Sequence, residues 1–195
     1  AVQIRKLTSE LLKAKRPILC VGGGVHLSHA QKEVCEFAHR YGIPAVCTMM
    51  GLGVFPTEDP MFYGMVGNNG QKYGNRAMNE ADVILMFGAR VADRSISQPD
   101  LENKVLVHID VDPAEIGKNA GASIPLVGDI RHVFRKFLEA EPAADYSEWT
   151  SRLDALRTEG KNARLEKHRE AEERDLREKN PWVNAASFLR RLSLK

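Results

Sequence analysis

The sequence is marked first by what it does not contain. No apolar run approaches the roughly eighteen residues that a membrane-spanning helix needs, and no basic-then-apolar leader or initiating methionine opens the chain. We expect a protein that does not enter the membrane and resides in the cytoplasm, and a chain beginning at Ala1 reads as a piece of something longer. Cysteine is scarce: Cys20, Cys35 and Cys47 are odd in number, widely spaced and form no C-x-x-C pair. That excludes a disulfide scaffold and a zinc ribbon, and leaves the three as small buried hydrophobes in a reducing compartment. Charge of one sign is lacking too. A net charge of +2 with mixed acids and bases gives no footprint for nucleic acid. The six histidines form no H-E-x-x-H or H-x-E signature, and neither a G-x-S-x-G elbow nor a Walker loop occurs.

What is present is a series of apolar runs alternating with helical patterns. "PILCV", "IPAVC", "DVILMF", "KVLVHID" and "IPLV" read as strands at about 17–21, 43–47, 83–87, 105–109 and 125–127. Between and after them, "SHAQKEVCEFAHRYG" places Ala30, Val34, Phe37, Ala38 and Tyr41 on one helical face with Gly42 as its stop, "QKYGNRAMNEA" reads as a short helix interrupted by Gly74, and "IRHVFRKFLEA" as a third. An N-terminal helix over 1–15 carries Ile4, Leu7, Leu11 and Leu12. Near-continuous apolar strands alternating with helices predict an α/β fold. We expect a three-layer, doubly wound, mostly parallel sheet of five to six strands with helices on both faces, Rossmann-like in plan. Composition divides the chain into a domain over 1–145, a charged helical linker over 146–180 and a new apolar beginning at 181–195.

Open parallel sheets bind ligands beyond the carboxyl ends of their strands. Those ends carry Gly22-Gly23-Gly24, then Thr48, then Gly88-Ala89-Arg90 with Asp93 and Arg94 just beyond, then Asp110, then Gly128-Asp129. Glycine admits a ligand to the backbone, arginine matches phosphate with a planar fork of donors, and a carboxylate accepts from ribose hydroxyls. Together these suit a dinucleotide. Each has a duller reading: the glycines as a tight turn, Arg90 and Arg94 as surface partners of Asp93, and Asp110 and Asp112 as caps of the turn "DPAEIG". A standard NAD site fits poorly, because Leu27 stands where the last glycine of G-x-G-x-x-G belongs and no acidic residue ends the second strand.

The blocks "RPILCVGGGV", "GIPAVCTMMGLGVFP", "FYGMVGNNG", "ADVILMFGARVADR", "VHIDVDPAEIGKN" and "VGDI" are specific in order and spacing. Through them the chain, from about Arg16 to Leu138, resembles the central domain of acetolactate synthase (acetohydroxyacid synthase) large subunits, within the thiamine-diphosphate-dependent enzymes. The resemblance implies a transferase of branched-chain amino-acid biosynthesis whose parent decarboxylates pyruvate and condenses the two-carbon unit with a second 2-oxo acid. It implies FAD in this domain in a structural role, with contacts from Gly23, Gly24, Thr48, Met49, Gly67, Asn69, Gly88, Ala89, Arg90, Asp93, Arg94, Asp110, Val111, Gly128 and Asp129. It further implies thiamine diphosphate and Mg2+ held by other domains, a homo-oligomer of the full-length large subunit, and a regulatory small subunit as partner. No Gly-Asp-Gly precedes the sole Asn-Asn pair, Asn68-Asn69, so no catalytic or metal-ligating residue is assigned, and the isolated chain is expected to be inactive. Asn68-Asn69-Gly70 departs from the Met-His-Gly usual in that family. Two other readings stay open: the central domain of another thiamine-diphosphate carboligase or decarboxylase, and a non-catalytic module for ADP or a coenzyme-A-like group.

Overall fold

The computed structural model describes residues 2–91, 101, 103–139, 144–178 and 184–193. The chain divides into two compact units, Ala1–Asp154 and Ala155–Lys195. The first holds a six-stranded sheet: β1 (Pro17–Val21), β2 (Ala45–Cys47), β3 (Phe62–Met65), β4 (Val83–Phe87), β5 (Val105–Asp110) and β6 (Ile124–Val127), in the order β3-β2-β1-β4-β5-β6. Every pairing is parallel, with Pro17 opposite Val83 and Val83 opposite Val105. β1 and β4 occupy the middle and are buried at all five positions, which is why their sequences are apolar without alternation. The ends of β2, β5 and β6 differ from the sequence expectation by one or two residues. β3 was not expected as a strand. It is four residues long, half-buried at its two ends, and interrupted by Gly64, so it carries little of the strand pattern.

Helices α1 (Val2–Lys13), α2 (Gly23–Leu27), α3 (Gln31–Tyr41), α4 (Lys72–Glu80), α5 (Ile130–Leu138) and the start of α6 (Ser147–Arg177) surround this sheet. The chain runs from β1 outward to β2 and from β3 back across to β4. α3 packs against α5, while α4 packs against β3. On one face Phe134 of α5 meets Phe87 of β4 at 4.6 Å and Phe37 of α3 at 5.1 Å between ring centroids. Each such ring contributes roughly 1.5–3 kcal/mol by burial. α3 is bound to α5 at both ends. Arg131 donates to Glu33 Oε1 at 2.8 Å, while Arg40 and Tyr41 donate to the terminal α5 carbonyls of Leu138 and Phe137. Gly42 closes α3 in the left-handed conformation, φ 62°, as its sequence position suggests.

α4 runs through Gly74 without a break. The helix lies so close to β3 that a Cβ there would come within 2.8 Å of the Tyr63 carbonyl, so this glycine serves packing and not interruption. In α1, Leu7 and Leu11 are buried while Leu12, one step off the stripe, is exposed. The first turns of α6 complete the unit. Tyr146 donates to the Leu11 carbonyl at 2.6 Å and buried Trp149 to the Pro17 carbonyl at 2.9 Å. The second unit contains the remainder of α6 and α7 (Ala185–Ser193), whose first turn is capped by Asn184 Oδ1, accepting from the Ala186 and Ser187 N–H groups. Among the described residues no helix is long and apolar enough to cross a membrane.

Candidate functional site at the strand switch point

Strand order fixes where a ligand can enter. From β1 the chain moves one way to β2 and β3, then returns to build β4, β5 and β6 on the other side. The connections leaving β1 and β4 part company beyond their first turns, and a crevice opens over those turns at the carboxyl ends of the strands. A cleft of about 1100 Å³ lies there. That volume slightly exceeds the ~300–1,000 Å³ typical of sites for drug-sized ligands, enough in volume for a dinucleotide.

The centre of the cleft is built by two backbone turns pressed together. Gly22 donates to the Phe87 carbonyl at 3.0 Å and Gly24 to the Gly88 carbonyl at 3.0 Å. A Cβ on Gly22 would stand 2.3 Å from the Gly88 oxygen, and one on Gly24 would stand 2.7 Å from the Gly88 Cα. Gly88 itself has φ +55°. These three glycines are small because α2 packs directly onto the end of β4. The buried strand β4 therefore ends in small residues for close backbone contact first, with any ligand contact added to that. The Gly24 N–H is engaged by the Gly88 carbonyl and is not open to a phosphate. The Gly23 N–H has no acceptor among the described residues, and Gly23 lines the cleft together with Gly24, Gly88 and Ala89.

Around this centre the sheet brings the remaining residues in strand order. Thr48, Met49 and Asn69 line the β2–β3 side, Arg90 follows β4, and Asp110, Val111 and Asp129 line the β5–β6 side. Gly67 and Gly128 are not among the lining residues. Asn75 clamps Gly67, accepting from its N–H and donating to its carbonyl at 2.9 Å each, and the Gly128 N–H donates to the Asp110 carbonyl. Asp93 and Arg94 lie outside the described residues.

The acidic side is partly committed to the fold. Asp110 Oδ1 accepts from the Asp112 N–H at 3.0 Å, and Asp112 from that of Ala114, so the turn-capping reading of this pair is realised while Asp110 still faces the cleft. Asp129 caps α5 by accepting from the His132 N–H at 3.1 Å, a bond that holds its carboxyl below the usual carboxylate range. Glu115 lines the same side and pairs with Lys118. His108 on β5 is fully buried, neither ring nitrogen makes a hydrogen bond of good geometry among the described residues, and burial pushes its pKa down against a weaker upward pull from Asp110 and the Ala89 backbone. Among the described residues no group of three or more His, Cys, Asp and Glu could hold a metal ion.

Sequence reasoning missed part of the lining. Leu27, Ser28, Met50, Met65, Val66, Asn68 and Ile130 also face the cleft. Leu27, the residue that breaks the dinucleotide fingerprint, is 86 % exposed at the end of α2, and Met49 and Met50 are each 68 % exposed. Apolar side chains this open on a cleft wall suit a ligand with an apolar portion.

The chain matches the family model for the thiamine pyrophosphate enzyme, central domain, over residues 4–137. It is 40% identical over 162 residues to a probable acetolactate synthase large subunit of Methanocaldococcus jannaschii, covering 80% of this chain and 27% of that protein. To the acetolactate synthase large subunit of Haemophilus influenzae it is 41% identical over 138 residues, 70% of this chain and 24% of the relative. To the acetolactate synthase isozyme 3 large subunit of Escherichia coli it is 34% identical over 164 residues, covering 80% and 29% respectively. The chain thus spans about a quarter of the length of these curated relatives.

Proposed function

The chain belongs to the family of thiamine pyrophosphate enzyme central domains, and from that premise we propose that it is the FAD-binding middle part of an acetolactate synthase large subunit. The observation that carries the reading is the cleft at the switch point, where an arginine, a glycine N–H, three carboxylates and exposed apolar side chains line one space. The residues present fit a flavin dinucleotide. Arg90 supplies a planar cation for a phosphate or adenosine group, Asp110 and Asp129 offer acceptors for ribose hydroxyls, and Thr48, Met49 and Asn69 lie along the opposite side. FAD here has a structural role without net redox.

Carbon–carbon chemistry belongs to thiamine diphosphate and Mg2+, held by other parts of the full protein; no residue of this chain is assigned to it. In that protein pyruvate is decarboxylated and its two-carbon unit joined to a second 2-oxo acid, a transferase step of branched-chain amino-acid biosynthesis. Residues 1–145 form the cofactor domain in this proposal, 146–180 the charged linker, and 181–195 the beginning of the thiamine-diphosphate domain. The full-length large subunit is a cytoplasmic homo-oligomer that pairs with a regulatory small subunit, and this chain alone is inactive.

A second reading, a relative holding ADP in the same cleft, is favoured by Asn68 and Asn69, which line the cleft in place of Met-His. Calorimetric titration of the chain with FAD and with ADP separates the two. The proposal expects saturable one-to-one FAD binding tighter than ADP. ADP binding with equal or higher affinity supports the second reading, and binding of neither refutes both.

A further inference from the structure

We infer that His26 is a positioning residue for the cleft, holding the Met49–Leu52 rim against α2 at the spacing the ligand requires; the inference rests on the nucleotide-binding reading above. The rim segment follows β2. Its near end is anchored to the sheet: the Thr48 N–H donates to the Val21 carbonyl at 2.9 Å, and the Gly51 N–H donates to the Thr48 carbonyl at 2.9 Å, closing a 3-10 turn over Met49–Gly51. Its far end, Leu52, is half exposed and tied back by its N–H only through a long 3.4 Å bond to Met49. The Leu52 carbonyl is gripped instead by His26, whose Nε2 lies 3.0 Å away.

The chemistry of that contact determines the ring's state. A carbonyl oxygen only accepts, so Nε2 carries the proton. In the neutral ring Nδ1 is then an acceptor, and the Gln31 side-chain amide stands 3.1 Å from it as the donor. A relay from the first residue of α3 through His26 to the rim thus sets both the tautomer and the ring plane. His26 lies on α2, whose residues Gly23 and Gly24 form the floor of the same cleft. Floor and rim lie close together: a Cβ on Gly23 would lie 3.2 Å from the Met50 Cβ. One imidazole therefore joins the wall bearing Met49 and Met50 to the floor. The contact is at the surface, so its loss should leave global stability unchanged while releasing the rim.

Two conservative variants separate the functions of the two nitrogens. In His26→Gln the side-chain amide reaches the position of Nε2 and keeps a donor for Leu52. In His26→Asn the side chain reaches only as far as Nδ1 and leaves the Leu52 carbonyl without its donor. The chain is labelled with 13C-methyl methionine, and each form is titrated with FAD and melted. We expect His26→Gln to keep the Met49 and Met50 methyl signals and bind FAD within about twofold of wild type. His26→Asn should shift or broaden those two signals, leave the buried Met78 and Met86 signals and the melting temperature unchanged, and weaken FAD binding about three- to tenfold. Unchanged Met49 and Met50 signals in His26→Asn would overturn the inference, as would a lowered melting temperature with all methionine signals displaced, which marks a residue needed by the fold at large. Absence of FAD binding by the wild type would refute the functional reading above, and the methyl spectra would still decide whether His26 sets the rim.

Discussion

A tight joint at the centre of the cleft is the contact of Gly22 and Gly24 with Gly88, and Gly88→Ala tests what it is for. Alanine at φ +55° incurs the left-handed penalty of about 1–2 kcal/mol. Its Cβ would also lie 2.6 Å from Ile130 Cδ1, 2.7 Å from Gly24 Cα and 3.0 Å from the Gly24 carbonyl carbon. The isoleucine methyl can rotate aside, but the Gly24 backbone cannot without moving α2, which adds an overpacking cost of about 1–3 kcal/mol. The sum, about 2–5 kcal/mol, corresponds to a fall in melting temperature of roughly 4–20 °C for a chain of this size. Asparagine, which tolerates φ above zero better than alanine, should not rescue stability, because the Cβ clash remains. Gly128→Ala is the control. Its Cβ would meet only Val133 Cγ2 at 3.9 Å, and its backbone is not left-handed, so the melt should stay within about 2 °C of wild type. Thermal and urea unfolding of the three variants provide the comparison. A Gly88→Ala protein as stable as wild type and impaired only in ligand binding would refute the packing explanation and return Gly88 to the ligand alone.

Other consequences follow from single contacts. Because burial holds the His108 pKa below its ordinary value, the unfolded chain takes up a proton before the folded one as pH falls. Its stabilising contribution is complete above the ordinary histidine pKa and declines as pH drops below it, so His108→Leu should flatten the stability–pH curve between about pH 7 and 5; an unchanged slope would contradict this. Trp149→Phe leaves the Pro17 carbonyl without its 2.9 Å donor in a buried site and should cost about 1–3 kcal/mol in urea unfolding, and a loss below about 0.5 kcal/mol would mean water replaces the indole.

The legibility of the fold follows burial. β1 and β4, enclosed on both faces, were readable residue for residue from "PILCV" and "VILMF", because a central parallel strand admits nothing polar. β3 lies at the sheet edge with Gly64 within it, and α2 is a five-residue helix beginning in two glycines; neither is long enough for periodicity to register. Gly74 shows the same limit in reverse, since a helix breaker by propensity is here a packing requirement that only the approach of β3 reveals. The candidate site was legible where it follows strand ends, as at Thr48, Gly88 and Asp110. Leu27, Met65 and Ile130 were not, because their arrival at the cleft depends on how α2, β3 and α5 pack. Gly67 and Gly128 sit beside the cleft in sequence, yet their backbone groups are used by Asn75 and Asp110.

The most direct test of the account is at Arg90, exposed at the end of β4 and lining the cleft. FAD is titrated into wild type, Arg90→Ala and Arg90→Lys, with melts of the ligand-free forms alongside. A guanidinium bonded to a phosphate or adenosine group contributes roughly 1.5–3 kcal/mol, so Arg90→Ala should weaken FAD binding about ten- to a hundredfold. Lysine, a point charge without the planar fork, should recover only part of that. The melts should coincide, because the buried run from Val83 to Phe87 is untouched. Equal FAD affinity in all three proteins would contradict the placement of the nucleotide in this cleft.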